Sequence, residues 1–83
     1  MDSRYVRGRA FNLLLLATAY AQQGEALRAC IIGDKALTLT ARLESARALG
    51  YLRELDSRLS PFHTVPLVHQ FNAKVSAMLS GRR

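Results

Sequence analysis

The wide spacing of helix-breaking residues is the feature that most limits the fold of this chain. Proline occurs only at positions 61 and 66, and the glycines lie at positions 8, 24, 33, 50 and 81. Between these positions apolar residues recur every three or four residues, and no stretch alternates with the period of two that is typical of a half-buried strand. The sequence therefore predicts an all-α fold.

The first half of the chain predicts two helices that meet near Gly24. The first begins at Ser3 or Arg9 and ends at Gln23, because glycine commonly terminates a helix. The second runs from Gly24–Ala26 to about Ala41. Its apolar residues lie on more than one face, which indicates burial on two sides and a central position in the fold.

The second half predicts two further helices separated by a proline. The third begins near Glu44 or Ser45 and ends at Ser60, because Pro61 cannot donate a backbone hydrogen bond. The fourth begins with Thr64 as its N-cap, and Pro66 is tolerated in its first turn. We therefore expect four helices in two antiparallel pairs.

The length and composition fit one small intracellular domain that spans residues 1–83. A chain of 83 residues is too short for a large enzyme core, but an apolar content of 49% is enough to form a packed one. The single cysteine, Cys30, excludes an internal disulfide and fits a reducing cytoplasm. The longest apolar run, residues 13–17, is far shorter than the roughly 20 residues that cross a bilayer.

The first helix pair carries large, small and aromatic residues in a regular order. They are Leu13, Leu16, Ala17, Tyr20, Gly24, Ala29, Ala36 and Leu37. The alanines allow two helices to approach closely, Tyr20 fills the gap between them, and Gly24 permits a tight reversal. This order, over residues 11–40, resembles the tetratricopeptide repeat. The resemblance implies a stackable helical repeat at residues 9–42.

Two departures from that repeat are evident. Gly33 lies where the repeat usually has a bulky residue, so this position is expected to admit a neighbouring side chain or backbone. Residues 44–80 carry no comparable order, and we expect them to form a degenerate or capping helix pair.

The same chain is similar to a narrower family over nearly its whole length. The residues that carry this likeness are Gly24-Glu25, Ala29-Cys30, Gly33, Ala36-Leu37, Ser45-Ala46-Arg47, Leu52-Arg53-Glu54-Leu55, Leu59, Pro61-Phe62, Val65-Pro66 and Phe71. They resemble the C-terminal end of actinobacterial helix-turn-helix transcriptional regulators that contain tetratricopeptide-like repeats. The resemblance implies a region for ligand sensing, partner contacts or self-association. It assigns no DNA-binding role to these residues.

No constellation of residues indicates catalysis, a cofactor or a metal. The chain has no glycine-rich phosphate loop, and His63 and His69 are six positions apart, which does not place two ligands on one helical face. Cys30 lies in an apolar helix and is expected to be a buried, inert thiol. We therefore expect a protein that is not an enzyme and that requires no cofactor.

The positive charge leaves nucleic-acid binding as an alternative. Twelve Lys and Arg residues against six Asp and Glu residues give a net charge of +6, and both chain ends are rich in arginine. Three of the basic residues are expected to pair with a glutamate at helical spacing (Glu25 with Arg28, Glu44 with Arg47, Glu54 with Arg58). The remaining basic residues would form a phosphate-binding patch only if the two termini meet in space.

The apolar excess favours a protein interaction instead. Two helix pairs form only two layers, so the outer faces of the end helices lack the neighbours that a longer array supplies. The predicted contact residues lie on the first and fourth helices; they are Phe11, Leu14, Leu15, Thr18, Phe71 and Met78. We expect a homo-oligomer or a bound apolar protein segment at these residues, although they could also simply pack on the third helix.

Overall fold

The fold is all-helical over the residues that the structure describes. The computed structural model describes residues 3–43 and 45–80, with side chains from Tyr5 onward. Four α-helices and one short 3-10 helix follow one another, and no strand occurs within these ranges. They are α1 (Ser3–Gln22), α2 (Ala26–Thr40), α3 (Ala46–Leu59), the 3-10 helix (Ser60–Phe62) and α4 (Pro66–Ser80). The prediction of an all-α fold is confirmed.

Gly24 forms the turn between α1 and α2. Its φ of +80° lies in the left-handed region that favours glycine. The N–H of Gly24 donates to the carbonyl of Ala21, and the N–H of Glu25 donates to that of Tyr20, at 3.1 and 2.9 Å. These two bonds are those of a Schellman motif, which satisfies the last carbonyl groups of a helix. The sequence prediction that α1 ends before Gly24 is confirmed.

Helices α3 and α4 begin with different caps. The Ser45 hydroxyl accepts a hydrogen bond from the N–H of Ala48 at 3.2 Å, as expected of an N-cap serine. At α4 the prediction of Thr64 as the N-cap is wrong, because the carbonyl of Val65 accepts the helical bond from His69. Pro66 thereby occupies the first helical position, where a missing N–H costs nothing.

Helix α2 is the central element of the packing. It contacts α1, α3 and α4, whereas α1 contacts chiefly α2 and α3. The main core contains residues from all four helices: Leu13, Leu14, Ala17, Ala21, Ala26, Ala29, Cys30, Ala36, Leu37, Leu52, Leu55, Leu59, Val68, Phe71 and Val75. A smaller cluster of Val6, Ala10 and Leu43 closes the end where α1 begins and α2 ends.

Gly33 allows α3 and α4 to approach the backbone of α2. A Cβ atom at this position would lie 3.0 Å from Leu55 Cδ2 and 3.1 Å from Phe71 Cε1. Both neighbouring side chains are themselves buried, so a Cβ atom here would have to displace packed core atoms by a few tenths of an ångström. The expectation that Gly33 admits a neighbouring side chain is therefore confirmed.

We predict that Gly33→Ala destabilises the fold although alanine is the better helix former. Overpacking a dense core costs about 1–3 kcal/mol, which exceeds the gain of about 1 kcal/mol in helix propensity. Gly50→Ala is the matched control, because Gly50 is exposed within α3 and its Cβ would meet no atom within 4 Å. Urea unfolding should show a lower free energy of unfolding for the first variant and an equal or higher one for the second. Equal stabilisation by both would contradict the packing at Gly33.

Candidate interaction surfaces

The residues predicted to form an interaction surface do not lie together. Leu15 on α1 is well exposed, while Phe11, Thr18 and Met78 are half-buried. Leu14 and Phe71 are buried in the core and are only 0% and 2% exposed. Leu14 lies on the α1 face that also carries Ala10, Ala17 and Ala21, and the Phe71 ring fills the space beside Gly33. The assignment of Leu14 and Phe71 to an exposed surface is therefore corrected.

The residues assigned to repeat packing mostly lie inside the core. Ala17, Ala29, Ala36 and Leu37 are buried, Tyr20 is half-buried against the core, and Gly24 forms the turn. Leu16 departs from this pattern, because it is exposed to solvent.

Helices α1 and α3 meet at an aromatic cluster that the sequence did not predict. The rings of Phe11 and Tyr51 pack edge to face with centroids 5.5 Å apart. The Arg47 guanidinium carbon lies 5.5 Å from the Phe11 ring and 5.9 Å from the Tyr51 ring. An arginine in this position is held by cation–π attraction. The partner predicted for it, Glu44, lies outside the described residues.

A groove of about 260 Å³ lies between α2 and α4. Its lining residues are Cys30, Ile31, Asp34, Lys35, Leu67, Gln70, Phe71 and Lys74. Cys30 and Phe71 are almost fully buried and form its floor, while Ile31 and Leu67 are exposed at its rim. The Lys74 ammonium donates to the Asp34 carboxylate across it at 2.8 Å. This ion pair joins residues 40 positions apart, so no local pattern in the sequence could have predicted it.

The exposed apolar surface continues beyond this groove along α2. Leu27 lies one turn before Ile31 and lines a second depression with Phe62 and Val65. We call the exposed side chains Leu27, Ile31 and Leu67, together with the groove between them, the α2/α4 face. The spread of apolar residues around α2 could have indicated this face, but the prediction that α2 is buried on two sides implied that neighbours cover it.

The described carboxylates each have a partner. Glu25 pairs with Arg28 at 3.6 Å and Glu54 with Arg58 at 2.9 Å, as the helical spacing predicts. Asp34 pairs with Lys74, and Asp56 accepts a hydrogen bond from the Asn72 amide. The cations without an ion-pair partner in this part of the chain are Arg7, Arg9, Lys35, Arg42, Arg47 and Arg53.

Arg9 and Lys35 bring two of these unpaired cations to one place. They line a shallow depression with Leu13, Thr38 and Leu39, where the first half of α1 lies beside the second half of α2. The unpaired positive charge is therefore partly concentrated at this end of the α1–α2 pair.

The Cys30 thiol lies in an environment that favours its neutral form. Burial raises the pKa of the thiol, and the negative charge of Asp34 raises the pKa further. A thiol with a raised pKa carries little of the nucleophilic thiolate at neutral pH. The placement of Cys30 agrees with the expectation of an inert, buried side chain.

The histidines and acidic residues form no metal site in the described ranges. No group of three or more His, Cys, Asp or Glu side chains lies close enough to hold a metal ion there. His63 lies in a turn and His69 on the exposed side of α4.

None of the helices described is both long and apolar enough to cross a membrane.

Comparison of the chain with family models, with curated proteins and with solved structures finds no match.

We predict that Cys30 makes stability fall at alkaline pH. The unfolded thiol ionises near pH 8.5, whereas the folded thiol has a raised pKa, so the unfolded state binds fewer protons between these two values. The free energy of unfolding should therefore decrease as the pH rises from 7 to 9.5. Cys30→Ala should show a smaller decrease over the same range, measured by urea unfolding. An identical pH dependence in both proteins would contradict the burial of the thiol.

Proposed function

We propose that this chain is a protein-interaction and self-association module. The observation that carries the proposal is the number of large apolar side chains left exposed by a small domain. They lie on three of the helices: Tyr5, Leu15, Leu16, Leu27, Ile31 and Leu67. Single exposed leucines are ordinary, but adjoining apolar residues that flank a groove are typical of protein-binding surfaces.

A tetratricopeptide-like arrangement of two antiparallel helix pairs is part of this proposal. Three observations support it: the glycine turn after α1, the buried alanines in α1 and α2, and the contacts between helices. Helix α1 packs on both α2 and α3, and α2 packs on α4. Two stacked helix pairs would make these contacts. The pair α3–α4, which lacks the alanine pattern, acts in this proposal as the degenerate or capping unit.

The biological setting that we propose is the cytoplasm, with the chain acting as the C-terminal part of a bacterial transcriptional regulator. The support for this setting is the resemblance of the sequence to such regulators. Self-association in that position would bring together the other parts of two regulator molecules, which suits the two-fold symmetric sites that many regulators bind.

We predict that the chain forms a dimer or a larger species at high micromolar concentration. Analytical ultracentrifugation should show a mass above the 9.2 kDa of one chain, and this mass should fall on dilution. Raising the salt concentration should preserve or strengthen the association, because two copies that each carry a charge of +6 repel one another through interactions that salt screens. A single 9.2 kDa species at every concentration would refute self-association.

Nucleic-acid binding is the second candidate function. The specific observation in its favour is that Arg9 and Lys35 line one depression and have no ion-pair partner among the residues described. Clustered cations of this kind bind phosphate groups through charge, without reading a base sequence.

The dependence of binding on salt concentration distinguishes nucleic-acid binding from self-association. A phosphate-binding patch should bind duplex DNA at low salt and lose affinity steeply as the salt concentration rises, because binding releases counterions. The double variant Arg9→Gln, Lys35→Gln should then bind more weakly and show a shallower salt slope, in a fluorescence anisotropy titration. Absence of binding at low salt removes this candidate.

A further inference from the structure

We infer that the α2/α4 face binds a second copy of this chain in a symmetric dimer. The inference rests on the proposed self-association and names the surface through which two copies would associate. Of the contact residues that the sequence predicts, Phe71 alone belongs to this face, at the floor of its groove.

The shape of the α2/α4 face suits a copy of itself. Leu27, Ile31 and Leu67 are 54%, 52% and 42% exposed and stand beside the groove whose floor is Cys30 and Phe71. Protruding side chains therefore adjoin a groove of about 260 Å³, and a cavity of about 150 Å³ already accepts a benzene-sized group. In a two-fold interface each copy contributes both parts, so an aliphatic side chain of either copy can enter the groove of the other.

The distribution of charge favours a second copy over an acidic partner. The ion pairs Glu25–Arg28 and Asp34–Lys74 neutralise the charged groups that border the α2/α4 face. Lys35 is the exception; it lies at the margin of the groove, toward Arg9. An acidic partner would be attracted to the unpaired cations elsewhere on the molecule. A second copy, with a charge of +6, can approach most easily where the local charge is balanced.

The exposed leucines of α1 form a less suitable surface. Leu15 and Leu16 are consecutive and therefore point about 100° apart around the helix axis. Neither of them lines the groove or the depressions described above. Ile31 and Leu67, in contrast, border the groove between α2 and α4.

A stable dimer would bury only part of the exposed surface of this chain. A standard interface covers about 800 Å² on each partner, and the whole chain exposes 5339 Å². Such a dimer would therefore cover about one-seventh of the surface of each chain.

Glutamate substitutions at matched exposure test the inference. Ile31→Glu and Leu67→Glu place a charge on the α2/α4 face, at positions that are 52% and 42% exposed. Leu15→Glu and Leu16→Glu are the controls, because these positions are 56% and 43% exposed and the change in net charge is the same. Glutamate is a good helix former, and thermal unfolding followed by circular dichroism verifies that all four variants fold.

We expect the two α2/α4 variants to raise the dimer dissociation constant at least about tenfold in sedimentation equilibrium, because an apolar contact would be lost and a charged group would have to be desolvated in its place. The two α1 variants should match the wild-type protein. The inference is overturned, while self-association stands, if the oligomer persists in the α2/α4 variants or if the α1 variants alone dissociate it. A wild-type protein that stays monomeric overturns both the inference and the proposed self-association, and leaves the face to a different protein.

Discussion

The absence of a side chain at Gly33 is the constraint on which the packing of this domain depends. At this position Leu55 of α3 and Phe71 of α4 both reach the surface of α2, so closely that a Cβ atom would force them to shift. Three helices therefore meet at one residue, and the main core extends through all four helices around it. A glycine in a helix interior costs stability by itself, but here it allows two large buried side chains to occupy the centre of the core.

The burial of Phe71 beside Gly33 also shapes the outer surface. Because the ring turns inward, α4 leaves a groove above it, with Leu67 on one rim and Ile31 on the other. The Asp34–Lys74 ion pair lies across the same groove, where both side chains remain about half exposed. Such an exposed pair adds little stability, so its main effect here is to balance charge beside an apolar surface.

The sequence predicted the helices and their ends well because these depend on local residues. Gly24, Ser45 and Pro61 act within one helical turn, and their effects follow from backbone geometry. The candidate surface was predicted poorly because it depends on contacts between distant residues. Whether Phe71 points inward is decided by Gly33, and whether Leu27 and Ile31 are covered is decided by the position of α4. The cluster of Phe11, Arg47 and Tyr51 likewise requires two helices to come together first.

The short connection between α1 and α2 has a consequence for the order of folding. Only Gln23, Gly24 and Glu25 separate two helices that pack closely on one another, so bringing them together requires the closure of a very short loop. Contacts between residues near in sequence form rapidly, whereas the docking of α4 on α2 must bring together residues some 40 positions apart. We therefore expect α1 and α2 to pair early in folding, before the second half of the chain docks on them.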